Sequence, residues 1–238
     1  KCYKSFLRET IVSTLGSLGE AFRHITEGRR SIRAFKSDPV PVSVIEDIFL
    51  NAGRAPSNCN TQPWFAHVVT GDKLEKLRQE LPEKFIAGDM AADYPYEGKY
   101  QGVYRDRQYA SATALYEALH IPREQKDQRQ AWFLNNYRFF GAPAVCFFTM
   151  PSQFGLREAC DLGMFAQSVM LGMTANGLGS CPQTALGFMA NTIKPQLGLG
   201  DDQMLLWGLS FGYPDWEDPA NQARTDRASL GSILTMHQ

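Results

Sequence analysis

One segment of the chain reads Ala55-Pro56-Ser57-Asn58-Cys59-Asn60-Thr61-Gln62-Pro63-Trp64. Its two prolines fix the backbone, so its polar side chains can present hydrogen-bonding groups at little entropic cost. An apolar helix pattern precedes the segment, and a strand-like run from Trp64 to Val69 follows it. A rigid polar loop between two regular elements is typical of a binding site, and these groups suit the edge of a flat heterocycle. The alternative is a connecting loop whose polar groups satisfy its own backbone.

The composition predicts a soluble, single-domain protein. The chain has 238 residues, of which 44% are hydrophobic, and a formal net charge of -1. This balance gives no general attraction to nucleic acid or to an anionic membrane, and no apolar run approaches the roughly 20 residues of a membrane-spanning helix. Five scattered cysteines indicate reduced thiols, and four scattered histidines give no metal-ligand spacing. We therefore predict a cytoplasmic protein with no metal, nucleic-acid partner or membrane partner.

The start of the chain predicts an amphipathic helix over residues 1–23, because its apolar residues recur at helical spacing. The same stretch is rich in serine and threonine, so an organelle-targeting remnant is an open alternative. We divide the chain into an N-terminal helical extension, residues 1–24, and a main domain, residues 25–238. The role of residues 1–23 stays open.

Periodic patterns predict the main regular elements of this domain. Two capping-box patterns, in which a polar residue is followed three residues later by glutamate, predict helix starts. The predicted elements are a helix from Ser43 to about Gly53, a helix that starts at Asp72, buried strands over 142–150 and 204–211, and a helix over 162–173.

Between about residues 82 and 136 the sequence changes character, because tyrosines alternate with charged residues and a basic, glutamine-rich run follows. We interpret this stretch as an insertion over the body, with a helix over 111–119. It is either a lid whose aromatic side chains wall a pocket or a solvated excursion. Tyr104 and Trp132 are the lid residues that we predict to contact substrate.

Two basic clusters lie near opposite ends of the domain. Arg29, Arg30 and Arg33 surround Ser31, and arginine is the preferred partner for phosphate because its planar fork donates two parallel hydrogen bonds. A second pair, Arg224 and Arg227, could converge on the same phosphate. The alternative for the first cluster is a solvated basic turn.

A third segment of interest runs from Gly177 to Thr184, after the predicted helix. It reads GxGxxP and lacks the βαβ context of a dinucleotide-binding fingerprint. Cys181 has no nearby histidine in sequence to lower its pKa, which makes it a poor candidate nucleophile. The useful groups here are exposed backbone N–H donors.

In combination, these segments resemble the FMN-dependent nitroreductase family. The matching segments, in the family's order, are Arg29–Phe35, Pro56–Trp64, Gly179–Gln183 and the pair Arg224 and Arg227. The resemblance implies an α+β fold, a mostly antiparallel sheet surrounded by helices, in a domain-swapped-type homodimer with FMN at the interface. It also implies that the C-terminal segment reaches across to the partner.

The resemblance assigns residues as well. In this family the segment 56–60 comes from the other subunit, Arg33 approaches the N1/C2 edge of the flavin, and the backbone at 182–184 faces N5. No side chain is assigned as catalytic, because the flavin carries the chemistry. The implied cofactor-binding residues are Arg29, Arg30, Ser31, Arg33, Pro56, Ser57, Asn58, Asn60, Pro182, Gln183, Thr184, Arg224 and Arg227.

The function that this resemblance implies is an FMN-dependent NAD(P)H oxidoreductase. It would reduce nitroaromatics, quinones or related electron-poor substrates by a ping-pong hydride-transfer mechanism. Two alternatives are open: a reductive dehalogenase of the iodotyrosine-deiodinase type, with Glu97, Lys99 and Tyr100 as candidate residues, and a non-enzymatic flavin-binding protein. The physiological substrate, the choice between NADH and NADPH, and the extent of nitro reduction are open as well.

Overall fold

The computed structural model describes residues 16–238. Its first helix, α1, is helical from residue 16 through residue 28. The helix predicted over residues 1–23 therefore lies largely outside the described residues. The boundary that we drew after residue 24 falls within α1.

The described residues form a four-stranded antiparallel sheet covered by helices. In spatial order the strands run β1-β2-β4-β3, with His67 opposite Phe147 and Phe147 opposite Gly208. None of the helices in residues 16–238 is long and apolar enough to cross a membrane. The strands are β1 (Phe65–Thr70), β2 (Ala144–Pro151), β3 (Gly179–Gln183) and β4 (Gln203–Gly212), and the further helices are α2 (Val42–Ala52), α3 (Gly71–Ile86), α4 (Val103–Ala118), α5 (Lys126–Phe133), α6 (Leu156–Ala175) and α7 (Ala190–Leu197).

Strand β2 is central because both of its faces are covered. Successive side chains of a strand point to opposite faces, and seven of its eight residues are buried. Phe148 joins one core with α2 and α6, whereas Phe147 joins a second core with α3 and α7. Burial on both faces accounts for the continuous apolar run that predicted this strand.

The predicted α+β class and antiparallel sheet are confirmed. The strands predicted over 64–69, 142–150 and 204–211 correspond to β1, β2 and β4, and the helix over 162–173 lies within α6. The helix predicted over 111–119 is the second half of α4, which begins eight residues earlier.

The predicted helix starts were wrong in detail. Pro41 precedes α2, so Ser43 lies inside the first turn and forms no cap. Helix α3 starts at Gly71 without a side-chain cap, and Glu75 instead pairs with Arg78 at 3.0 Å. A proline or an extended residue can begin a helix without a capping side chain, because water can satisfy the exposed N–H groups.

Strand β3 was missed by the sequence analysis. Its glycine and proline content is typical of loops, but edge strands tolerate proline because only one side of such a strand forms a continuous ladder. Gly179 is required at its start: an added Cβ would lie 2.6 Å from Ile32 Cγ1 and 2.8 Å from Pro214 Cγ. This close approach brings the chain around Ile32 against the sheet edge.

Candidate functional site

The segment that carries the first basic cluster runs along the edge of β3. Ser31 pairs with Ser180 in a parallel bridge, and the Ile32 N–H donates to the Ser180 carbonyl at 2.9 Å. Ile32 is 3% exposed, so it anchors the segment in the body. Arg29, Arg30 and Arg33 on either side of this anchor remain only partly buried. The local sequence thus fixes the backbone and leaves three guanidiniums beside a cavity.

The second basic cluster is held by a short turn, Pro219–Gln222. Asp218 caps this turn by accepting a hydrogen bond from the Ala220 N–H at 2.8 Å. Within the turn, Asn221 is buried, and its carbonyl accepts a hydrogen bond from Arg224 Nη1 at 2.9 Å. The chain then continues to Arg227, which hydrogen bonds to Thr225.

The two clusters meet at one cavity of about 390 Å³, which we call the arginine cavity. Helix α4, which lies within the predicted lid, contributes a further wall. The sequence-predicted convergence of residues 29–33 with Arg224 and Arg227 is therefore present in the fold. The lining residues are Thr26, Glu27, Arg29, Arg30, Ser31, Arg33, Ser111, Leu115, Ala223, Arg224, Thr225 and Arg227.

The arginine cavity is strongly electropositive. It brings five arginines together with one carboxylate, Glu27, and none of these arginines forms an ion pair with a carboxylate in residues 16–238. Burial, followed by repulsion from Arg227, lowers the pKa of Arg29. Burial, followed by repulsion from Arg224, lowers the pKa of Arg30. Arginine stays protonated in proteins, so this cavity favours an anionic ligand.

The loop of residues 55–64 lies outside this cavity. The Ser57 hydroxyl accepts from the Gln62 N–H at 3.0 Å, and the Asn58 N–H donates to the Asp161 carboxylate at 2.9 Å. Cys59, Asn60 and Gln62 adopt positive φ angles, a conformation in which asparagine is enriched. Of the predicted cofactor residues here, Pro56, Asn58 and Asn60 are exposed and Ser57 is half-buried.

Asp161 on α6 fixes this loop, and we expect its removal to loosen the backbone. In Asp161→Ala the Asn58 N–H loses its acceptor, so its hydrogen exchange is expected to become about tenfold faster. Exchange measured by mass spectrometry on peptides spanning residues 55–64 checks this. Asp161→Asn is the matched control, because its side-chain carbonyl can accept the same bond. Equal exchange in D161A and the unchanged chain would show that Asp161 does not hold the loop.

The third group of predicted cofactor-binding residues, 182–184, lies at the end of β3. Pro182 and Thr184 are exposed, but the Gln183 side chain is buried. Gln183 Nε2 donates to the Asn136 carbonyl at 2.8 Å, and Gln183 Oε1 accepts from the Ser210 hydroxyl. The Gln183 side chain is therefore not available to a ligand, because it ties the end of the predicted lid to the sheet, whereas Pro182 and Thr184 are accessible.

Cys181, in the middle of β3, is buried. Burial raises the pKa of its thiol to about 11, against the opposing influence of Arg33 and Arg29. The thiolate fraction at neutral pH is then about one in ten thousand. This agrees with the prediction that Cys181 is a poor candidate nucleophile.

We expect Cys181 in the folded protein to resist iodoacetamide at neutral pH, because the thiolate is the reacting form. After unfolding in guanidinium, the same cysteine is expected to react readily. Mass spectrometry of the Cys181 peptide before and after unfolding checks this. Rapid native-state alkylation would contradict the burial of this thiol.

Comparison with known proteins decides the family. The model described as "Nitroreductase family" matches residues 26–213. The chain belongs to the nitroreductase family. Over 214 residues it is 41% identical to Nitroreductase NfnB of Mycolicibacterium smegmatis, with 90% of this chain and 91% of that protein covered. The structure of the FMN-dependent nitroreductase NfnB from Mycobacterium smegmatis in complex with NADPH matches with a TM-score of 0.89 at 40% identity, covering 93% of this chain and 100% of that chain.

Two more distant relatives differ in how much of the chain they match. The nitrobenzene nitroreductase of Ectopseudomonas oleovorans is 31% identical over 210 residues, 87% of this chain and 92% of that protein. The iodotyrosine deiodinase of Drosophila melanogaster is 46% identical over only 61 residues, 25% of this chain and 21% of that protein. The similarity to the nitrobenzene nitroreductase thus spans nearly the whole chain, whereas the similarity to the deiodinase covers a quarter of it.

The two lid residues of this nitroreductase-family chain lie away from the arginine cavity. Tyr104 is exposed on α4, with the Arg107 guanidinium 6.0 Å from its ring centroid. Trp132 packs between the rings of Tyr116 and Phe140, at centroid distances of 6.2 and 5.7 Å. Trp132 therefore fastens the lid to the body, and contact of either residue with substrate stays a prediction.

Several residues of the site were not found from sequence. Asn221 and Asp161 are buried polar side chains that hold backbone segments distant in sequence, and no local pattern marks such contacts. Ser111 reaches the arginine cavity because α4 passes over it. Residues 16–238 contain no cluster of three or more side chains able to hold a metal ion.

Proposed function

We propose that this chain is an FMN-dependent NAD(P)H oxidoreductase that reduces nitroaromatics, quinones or related electron-poor rings. The observation that carries the proposal is the arginine cavity, whose five guanidiniums form no ion pair with a carboxylate of residues 16–238 and therefore favour an anionic ligand. A terminal phosphate fits this requirement, because its oxygens accept the paired donors of several arginines at once. Similarity to nitroreductases over about nine-tenths of the chain supports FMN as the ligand that carries this phosphate.

The residues present fit the cofactor as follows. Arg29, Arg30, Arg224 and Arg227 would hold the phosphate and the adjoining ribityl chain, with the Ser31 hydroxyl as a neutral donor. Arg33 would place a fixed positive charge beside the N1/C2 edge of the ring, where reduction concentrates negative charge. The backbone of residues 182–184, where Pro182 and Thr184 are exposed, would face the N5 edge. When bound, FMN supplies the chemistry by taking a hydride from NAD(P)H and passing electrons to the oxidised substrate.

We propose further that the active form is a homodimer with FMN at the interface. In this arrangement Pro56, Ser57, Asn58 and Asn60 serve the cavity of the partner, which explains why they lie outside the arginine cavity of their own chain. Exposed apolar side chains support a partner surface. They occur on α1, α6 and the C-terminal tail: Leu18, Phe22, Leu156, Met164, Leu230, Ile233, Leu234 and Met236.

The remaining assignments follow the relatives. We propose NADPH as the donor, since NADPH occupies the complex of the structural relative. The four cysteines in residues 16–238, Cys59, Cys146, Cys160 and Cys181, are free thiols, which supports a reducing compartment such as the cytoplasm.

The dehalogenase alternative has less support. Glu97, Lys99 and Tyr100 line no part of the arginine cavity, and the deiodinase similarity covers a quarter of the chain. We therefore propose no second function.

The proposal is tested by flavin extraction and steady-state kinetics. Heat-released flavin is expected to be FMN, at one molecule per chain. NADPH oxidation with nitrobenzene is expected to give parallel double-reciprocal lines, because both substrates use one site in turn. A flavin-free protein that neither takes up FMN nor oxidises NADPH would overturn the proposal. A flavin-bound protein without turnover would indicate a passive flavin carrier instead.

A further inference from the structure

We infer that Asn221 is a positioning residue that sets the spacing between the two arginine segments, and thereby the preference for a flavin that bears a terminal phosphate. The inference rests on the proposed FMN site. It concerns a side chain that lines no part of the arginine cavity and acts only through the arginines on either side of it.

Three hydrogen bonds of one buried amide carry this inference. Asn221 is 3% exposed. Its Oδ1 accepts from the Arg33 N–H at 2.7 Å, while its Nδ2 donates to the Ala34 carbonyl at 2.8 Å and to the Asp215 carbonyl at 2.6 Å. One side chain therefore joins the segment of the first arginine cluster to the segment of the second, across 188 positions of sequence.

The main chain of the same residue extends this link. The Asn221 carbonyl accepts from Arg224 Nη1 at 2.9 Å, and Arg224 Nη1 also donates to the Ala223 carbonyl at 2.9 Å. Arg224 is thus oriented by the turn that the Asn221 amide fastens to residues 33 and 34. A displacement of the turn would move Arg224 relative to the first cluster.

The link opposes an electrostatic force. Arg29 is repelled by Arg227, and Arg30 is repelled by Arg224, so both repulsions act between the two segments. Without an anion, the charges favour separation of the segments. Main-chain hydrogen bonds join residues 34 and 36 to residues 215 and 213, and the hydrogen bonds of Asn221 extend this link to Arg33 and to the turn before Arg224. The segments are thus held at a fixed distance, so the phosphate meets donors that are already in place. Preorganisation of this kind raises affinity by reducing the cost of ordering the site.

Loss of Asn221 is expected to weaken the binding of the phosphate in particular. Asn221 accepts from the Arg33 N–H, so its loss is expected to weaken the ring contact of both flavins to the same extent. Only FMN also requires the two arginine segments at the spacing that Asn221 sets, because its phosphate contacts both of them. Loss of Asn221 should therefore weaken the binding of FMN more than the binding of riboflavin, which has the same ring and ribityl chain but no phosphate.

The experiment is a titration of the full-length apoprotein with FMN and with riboflavin, followed by flavin fluorescence. For Asn221→Ala we expect the ratio of the two affinities to fall about tenfold or more toward riboflavin, the scale of one lost charge-assisted contact. Asn191→Ala is the matched control. Asn191 also joins distant segments, through Asp89 and the Ala91 N–H, but it is remote from the arginine cavity, so its ratio should not change.

General destabilisation of the protein predicts a different result, because it weakens the binding of both flavins alike. An unchanged ratio in N221A, with or without a fall in both affinities, overturns the inference. If N221A does not accumulate as folded protein, Asn221→Ser replaces it, since a hydroxyl can restore at most part of the three bonds; an unchanged ratio there has the same meaning. If the unchanged chain binds neither flavin, the proposed function itself fails.

Discussion

Arg29→Glu protein is expected to purify without flavin and to bind added FMN at least about 100-fold more weakly than the unchanged chain. Two charge-assisted hydrogen bonds from one guanidinium contribute roughly 3 kcal/mol or more, which is about 100-fold in affinity. The introduced carboxylate would also repel the phosphate. Absorbance of the purified protein and titration with FMN measure both effects.

Two comparisons separate this effect from misfolding. In the apoprotein, Arg29 is repelled by Arg227, so Arg29→Glu is expected to leave the thermal midpoint unchanged or higher. Arg123→Glu changes charge equally at an exposed lid position outside the arginine cavity, and it should retain FMN. Full FMN occupancy in R29E would contradict the phosphate assignment.

Phe147→Ala is expected to destabilise the fold strongly. Phe147 is fully buried in β2, packs edge-on against Phe139 at 6.3 Å, and belongs to the core with α3 and α7. Truncation of a buried phenylalanine costs roughly 3–5 kcal/mol, which lowers the melting temperature of a chain this size by about 10 °C. Thermal unfolding of the apoprotein followed by circular dichroism measures the change.

The control is Ile86→Ala, an apolar truncation at the exposed end of α3, where Ile86 is 70% exposed. Its effect should be within about 1 kcal/mol, as for most surface changes. A loss of similar size in both variants would mean that β2 is not the centre of the core.

Local chemistry predicted those parts of the fold that follow from periodicity. Strands β2 and β4 are continuous apolar runs because they are buried, and α6 carries its apolar residues at helical spacing. Strand β3 escaped prediction because its pairing depends on a distant partner, Gly179–Gln183 against β4, rather than on the propensities of its glycine and proline. Helix starts were misplaced because backbone geometry, rather than Ser43 or Asp72, decided them.

The residues of the site likewise fall into those that could be predicted from sequence and those that could not. Arg29, Arg30, Ser31, Arg33, Arg224 and Arg227 could be named because phosphate recognition requires particular side chains in short clusters. Asn221 and Asp161 could not, since their roles exist only after residues more than a hundred positions apart meet. The Gln183 side chain was likewise unpredictable, because its burial depends on Asn136 and Ser210.

The most direct test of the central claim is an anaerobic experiment in two half-reactions. Added NADPH is expected to bleach the visible absorbance of the FMN-bound protein, and nitrobenzene added afterwards is expected to restore it without further NADPH. This result would establish that one site serves donor and acceptor in turn. Bleaching that nitroaromatics and quinones fail to reverse, or no bleaching by NADPH or NADH, would contradict the account.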